Sequence, residues 1–124
     1  MTTAQREILR RERQQVKDFN RRRLPALLEA FAPGFVGFSS TRHARITGRA
    51  ALKKTFQHYL RQSPRVRYSI AQLRVQVFGG TAVASFYWTV TLGRRRKVRG
   101  RGTHVFIKKA RRWQIVHEHF SRAH

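Results

Sequence analysis

Gly100–Ala123 reads GRGTHVFIKKARRWQIVHEHFSRA. The alternation in this stretch decides the architecture. Val98, Gly100, Gly102 and His104 occupy one face of a strand spanning Lys97 to Lys108, and Arg99 and Arg101 occupy the other. A period of two is the signature of a pleated strand. Ala110-Arg111 makes the turn, and a second strand runs from Arg112 to Ser121. The two therefore form a hairpin.

Upstream, Thr81 to Leu92 is another long strand of aromatic and β-branched residues, and Gly79-Gly80 makes the tight turn before it. Further back, Val66, Tyr68 and Ile70 alternate, then Leu73, Val75 and Val77. The phase slip between Ile70 and Leu73 predicts a bulge. Before Pro64 the period is helical. Ile8, Leu9, Glu12, Val16 and Phe19 share one face of a first helix, and Leu24, Leu27, Leu28 and Phe31 mark a second over roughly Pro25 to Phe31, stopped by Pro33. Short strands follow at Phe35 to Ser39 and Arg45 to Thr47. Gly48 opens a third helix striped by Leu52, Phe56, Tyr59 and Leu60, ended by Ser63 and Pro64. The order ααββαββββ predicts a single α+β domain over residues 1–124, with three helices on one face of a curved, mainly antiparallel sheet.

Charge is the anomaly. Twenty-eight Lys and Arg stand against five acids, a formal net charge of +23, and no Asp or Glu occurs from Ala30 to His117. The hydrophobic fraction of 40% excludes a disordered basic tail, the absence of cysteine excludes disulfides and thiolate metal sites, and no apolar run is long enough to span a membrane. With no targeting segment recognised, the chain is expected to be cytoplasmic. Glu7 with Arg11 and Asp18 with Arg22 are spaced for local ion pairs.

The quoted hairpin, with LPALLEAFAPGFVGFSS, ITGRAALKKTF and VFGGTAVASFYWTV, resembles the NTF2-like (SnoaL-like) superfamily. Its Trp followed by HxHxS is similar to the association (hub) domain of calcium/calmodulin-dependent protein kinase II and its free-standing bacterial relatives. The resemblance implies a conical pocket between helices and sheet, and a homo-oligomer, a dimer or a hub-like ring. It also implies a pocket lined by Tyr59, Ser85, Tyr87, Thr89, His104, Phe106, Val116, Glu118 and Phe120. The superfamily contains isomerases, dehydratases, cyclases and pure scaffolds, and fold alone does not choose among them.

Where the resemblance leads one to expect Gly-Asp before the second helix stands Arg22-Arg23, and where it leads one to expect Asp-Gly before Trp113 stands Ala110-Arg111. Caps and turns have given way to cations, the pattern of a positively supercharged, engineered variant of such a scaffold. The first expectation is thus a non-catalytic, self-assembling scaffold that binds polyanions or acidic proteins without specificity. Its binding residues would include Arg94, Arg95, Arg96, Lys97, Arg99, Arg101, Lys108, Lys109, Arg111 and Arg112. Neither sequence-specific nucleic-acid readout, nor metal, nor cofactor is expected. His117 and His119, two apart, lack a third ligand. The alternatives are an isomerase, dehydratase or cyclase using a His104–Glu118 pair with Tyr87 in reach, and a natural nucleic-acid-associated basic protein. Glu118, the only acid after Glu29, is expected to be partly buried with a cationic or histidine partner.

Overall fold

The computed structural model describes residues 1–122. Helix α1 (Thr3–Asn20) starts with a reciprocal cap. The Gln5 amide N–H donates to Thr2 Oγ1 at 3.1 Å, and the Thr2 N–H donates to Gln5 Oε1 at 2.9 Å. Its buried face holds Ile8, Glu12, Gln15, Asp18 and Phe19.

The short α2 (Leu24–Glu29) has no side-chain cap at Arg23. Arg22 before it sits at φ 59°, the left-handed region in which glycine is comfortable. Its guanidinium has a compensating task, donating to the carbonyls of Leu60 at 2.7 Å and Ser63 at 2.8 Å. The arginine thus ties α1 to the C-terminal end of α3 (Gly48–Arg61).

Strand β1 (Phe31–Phe38) begins four residues before the expected start, and α2 ends two residues short of its expected end. The cause is pairing with the far end of the chain: the Ile115 N–H donates to Ala30 O at 2.9 Å, and Phe31 lies opposite Ile115. Pro33, expected to stop the helix, falls instead where the ladder is irregular between Phe31 and Val36.

The remaining strands are β2 (Ile46–Thr47), β3 (Arg67–Phe78), β4 (Thr81–Leu92), β5 (Arg96–Lys109) and β6 (Arg112–Arg122). They form one six-stranded sheet in the order β2-β1-β6-β5-β4-β3, antiparallel except where β1 runs parallel to β6. The β3 bulge lies where the phase slip places it, between Ala71 and Arg74, with Gln72 at φ 54°. A second irregularity, unmarked by any glycine, leaves Val116 without a partner, because Val105 faces His117 while Phe106 faces Ile115. Ala110 and Arg111 make their turn at φ 50° and 66°.

The helices bury the inner face of this sheet. Ile8, Phe31, Phe35, Leu52, Phe106, Trp113 and Ile115 form one core cluster, and Phe19, Leu27 and Val66 a second. Along β5 the inner face is glycine at 100 and 102. A Cβ on Gly102 would come within 2.6 Å of the Phe86 ring and 2.9 Å of the Phe120 ring. The missing side chains leave room over β5 for the rings of Phe86, Trp88 and Phe120, with Trp88 and Phe120 stacked at 5.9 Å and Phe86 edge-on to Phe120. No helix among the described residues is long and apolar enough to cross a membrane.

Candidate functional site

Glu12 occupies an apolar stripe, one turn after Ile8. It is 2% exposed, whereas an isolated buried carboxylate would be strongly disfavoured. Its partner comes from the middle of β5: His104 Nδ1 lies 2.7 Å from Glu12 Oε2. On the other side of the ring His104 Nε2 lies 2.7 Å from Glu118 Oε1 on β6. Ladder register brings the latter pair together, since His104 faces Glu118 directly across β5 and β6. The imidazole is 1% exposed, and Phe31, Phe86, Phe106 and Phe120 surround it with ring centroids 5.3–6.1 Å away.

Burial alone would make this imidazole a weaker base. The charge of Glu12, the hydrogen bonds to both carboxylates and the charge of Glu118 outweigh it, holding the His104 pKa up to about 10. Near neutral pH the ring is an imidazolium donating one N–H to each carboxylate. The triad of two anions and one cation carries a net charge of −1. These are the only ion pairs among the described residues. Of the expected local pairs, Asp18–Arg22 gives way to other bonds: Asp18 Oδ1 accepts from Gln14 Nε2 at 2.9 Å, and Arg22 reaches the carbonyls named above.

Beside the triad lies a cavity of about 260 Å³. Its wall is mainly apolar, built from Phe19, Leu27, Leu52, Phe56, Val66, Tyr68, Trp88, Val90, Val98 and Phe120. Polar side chains interrupt the wall. Glu118 lines it with one carboxylate oxygen on His104, and the other oxygen meets no hydrogen-bond donor among the described residues. Gln15, one turn beyond Glu12, also lines it, and its buried Nε2 has no partner among the described residues. Tyr68 is clamped by Asn20, whose Nδ2 donates to Tyr68 O at 2.8 Å and whose Oδ1 accepts from Tyr68 N at 2.7 Å. Burial, then the charges of Glu12 and Glu118, push the Tyr68 phenol well above its ordinary pKa, so it stays a donor. At the open end Tyr59 Oη sits 3.1 Å from Thr41 Oγ1, and Arg96 and Arg122 flank the entrance.

Of the residues expected to line the pocket, Tyr59, Glu118 and Phe120 do so. His104 and Phe106 face inward but are buried behind the wall, in contact with carboxylates and core. Ser85, Tyr87 and Thr89 are corrected: β4 turns Ala82, Ala84, Phe86 and Trp88 inward, so these three stand on the outer face, with Tyr87 52% exposed. Tyr87 is thereby removed from any chemistry with His104. Val116 is corrected too, because the β6 irregularity puts Ile115 rather than Val116 in phase with the inner face.

The basic set divides by its position relative to the cavity. Arg94, Arg95, Lys97, Arg99, Arg101, Lys108, Lys109, Arg111 and Arg112 are exposed away from the cavity, whereas Arg96 shares the inner phase of Val98 and lines it. His117 and His119 flank Phe38, at centroid distances of 6.3 and 5.6 Å. Glu12 and Gln15 were not expected at the site. Their signal was a carboxylate and an amide on a helix face that otherwise carries apolar residues.

The model of the SnoaL-like domain matches residues 12–124. An NTF2-like protein of unknown function from Pseudomonas putida superposes with a TM-score of 0.89 at 22% identity, covering 98% of this chain and 88% of that one. A Xanthomonas campestris protein, provisionally assigned as a calcium/calmodulin dependent protein kinase II association domain, gives 0.84 at 20% identity, over 95% and 86%. A Streptomyces avermitilis protein, provisionally assigned as a dehydratase of the NTF2-like family, gives 0.82 at 13% identity, over 94% and 93%. The fold is the NTF2-like α+β cone. A search of curated protein sequences finds no significant match.

Proposed function

Since the chain belongs to the SnoaL-like domain family, we propose that it binds a small, mainly apolar molecule within its cone and removes a proton from it with Glu118. One observation carries this reading: a carboxylate anchored through one oxygen lines a mainly apolar cavity, and its second oxygen meets no donor among the described residues. Held by an imidazolium, Glu118 keeps a fixed orientation. Because His104 already carries both ring protons near neutral pH, it is a positioning residue and not the base. The Tyr68 phenol is a donor for the oxygen on which charge develops. This division of labour suits enolisation, and hence isomerisation or elimination next to a carbonyl. It departs from the scaffold reading, which leaves the cavity without a use.

The test is deuterium uptake at the α-carbon of an enolisable aryl ketone in D₂O, followed by mass spectrometry. Wild type is expected to exceed the buffer rate, and Glu118→Gln to lose at least ~100-fold, the usual scale of general-base catalysis. Equal exchange rates in the two proteins would remove Glu118 from the mechanism.

A second reading concerns the surface and does not compete for the cavity. Exposed cations occupy α1 (Arg6, Arg10, Arg13), α3 (Lys53, Lys54, Arg61) and the outer sheet face (Arg67, Arg74, Arg99, Arg101). This even coat supports nonspecific binding of polyanions by counterion release, and it suits charge laid over an existing fold. Self-assembly through the outer face, where Phe78, Tyr87 and Ile107 are exposed, belongs to the same reading. Affinity for single-stranded DNA and for heparin should fall together and steeply as salt rises. A strong preference between DNA sequences, or binding that persists in molar salt, contradicts it.

A further inference from the structure

The polar groups of the cavity are sorted by depth and sign, and this order constrains the ligand. At the inner end the Glu12–His104–Glu118 triad has a net negative charge, so an anionic group is repelled there. In the same region Gln15 is 7% exposed and lines the cavity, and its Nε2 meets no acceptor among the described residues. An orphaned buried amide is costly unless something accepts from it. At the outer end stand two arginines of the inner face. Arg122 follows Glu118 and Phe120 in phase along β6, and Arg96 precedes Val98 along β5. Gly100 lies opposite Arg122, so both belong to the same end of the sheet.

We propose that the ligand of the cone is a slender, mainly apolar molecule with a neutral carbonyl at its inner end and an anionic group at its outer end. The carbonyl accepts from Gln15, the apolar body fills the wall of Phe19, Phe56 and Trp88, and the anion meets Arg96 and Arg122. This deepens the pocket reading above and rests on it for the occupancy of the cone, but not for proton transfer.

Binding of 6-acetyl-2-naphthoate, which carries a ketone and a carboxylate at opposite ends of a rigid apolar body, tests the assignment by calorimetry. 2-Acetylnaphthalene lacks the anion and 2-naphthoate lacks the ketone. Wild type should bind the complete molecule about tenfold more tightly than either fragment. The double variant Arg96→Gln/Arg122→Gln should lose about tenfold for 6-acetyl-2-naphthoate and nothing for 2-acetylnaphthalene. The net charge of +23 attracts any anion, so Arg94→Gln/Arg95→Gln, equal in charge and outside the cavity, serves as the control and should lose less than twofold. Gln15→Leu should narrow the preference for 6-acetyl-2-naphthoate over 2-naphthoate to less than twofold while raising Tm, a combination that loss of structure cannot produce.

Equal losses in the two arginine pairs would overturn the proposal in favour of a diffuse field. An unchanged ketone preference in Gln15→Leu would overturn it at the inner end. Tight binding without deuterium exchange contradicts the proton-transfer reading alone, and exchange without anion preference contradicts this proposal alone.

Discussion

Between pH 6.5 and 10 the protein is expected to lose roughly 4 kcal/mol of folding stability as the His104 imidazolium gives up its proton. The folded pKa of His104 is about 10, against an ordinary value of 6.5 in the unfolded chain. A base strengthened by folding stabilises the fold fully below its unfolded pKa, and that contribution disappears as pH rises through the folded one. The groups facing the ring are Glu12 from α1 and Glu118 from β6, both acidic and both on short hydrogen bonds. The Tyr68 phenol, pushed upward, does not ionise within the window. Urea midpoints recorded at half-unit intervals should decline across this range in wild type and stay level in His104→Gln. That variant should also be less stable at pH 7 by about 3–5 kcal/mol, because two buried carboxylates lose their shared cation. A wild-type midpoint that is flat from pH 6.5 to 10 would mean that the ring is neutral in the fold.

The second large effect belongs to Glu12. Glu12→Gln is nearly isosteric, yet it leaves a buried imidazolium with one counter-charge and should cost about 3 kcal/mol at pH 7. The charge of Glu12 is the foremost influence raising the His104 pKa, so the same variant should also move the pH-dependent loss of stability to lower pH. Glu29→Gln is the matched control on an exposed acid and should change stability by less than ~0.5 kcal/mol. Equal, small effects at both positions would show that the triad contributes nothing particular to the fold.

A carboxylate one turn after Ile8 was legible as an oddity in an apolar stripe. Its partner is 92 residues away in sequence, and no local rule connects them. The His104–Glu118 pair was legible because two alternating strands joined by a tight turn place those residues opposite each other.

The long strands and the Gly79-Gly80 turn were legible for the same reason, a strong period of two bounded by turn residues. Phase was harder where both faces of a strand are apolar. On β4, Val83, Ser85 and Tyr87 compete with Ala82, Ala84 and Phe86, and the small alanines belong inside because the helix α1 and the Phe31 and Phe35 rings occupy the space above them. The slip at Val116 carries no glycine and no polar marker, so nothing in the order of residues announces it. The hollow itself is a property of three-dimensional packing: the side chains that line it come from all three helices and four of the strands. Arg96, one of four successive cations, differs from its neighbours only in the face of β5 to which it belongs.

The role of Glu118 depends on one proton count. If Glu118 is oriented by an imidazolium, both ring nitrogens of His104 are protonated throughout the neutral range. Nitrogen NMR of histidine-labelled protein at pH 7.5, with His104 assigned by its loss in His104→Gln, measures this directly. The prediction is a pair of protonated, hydrogen-bonded nitrogens that persists to about pH 9. A ring with one bare nitrogen at pH 7.5 would contradict it, and with it the assignment of Glu118 as a carboxylate held by charge at the cavity wall.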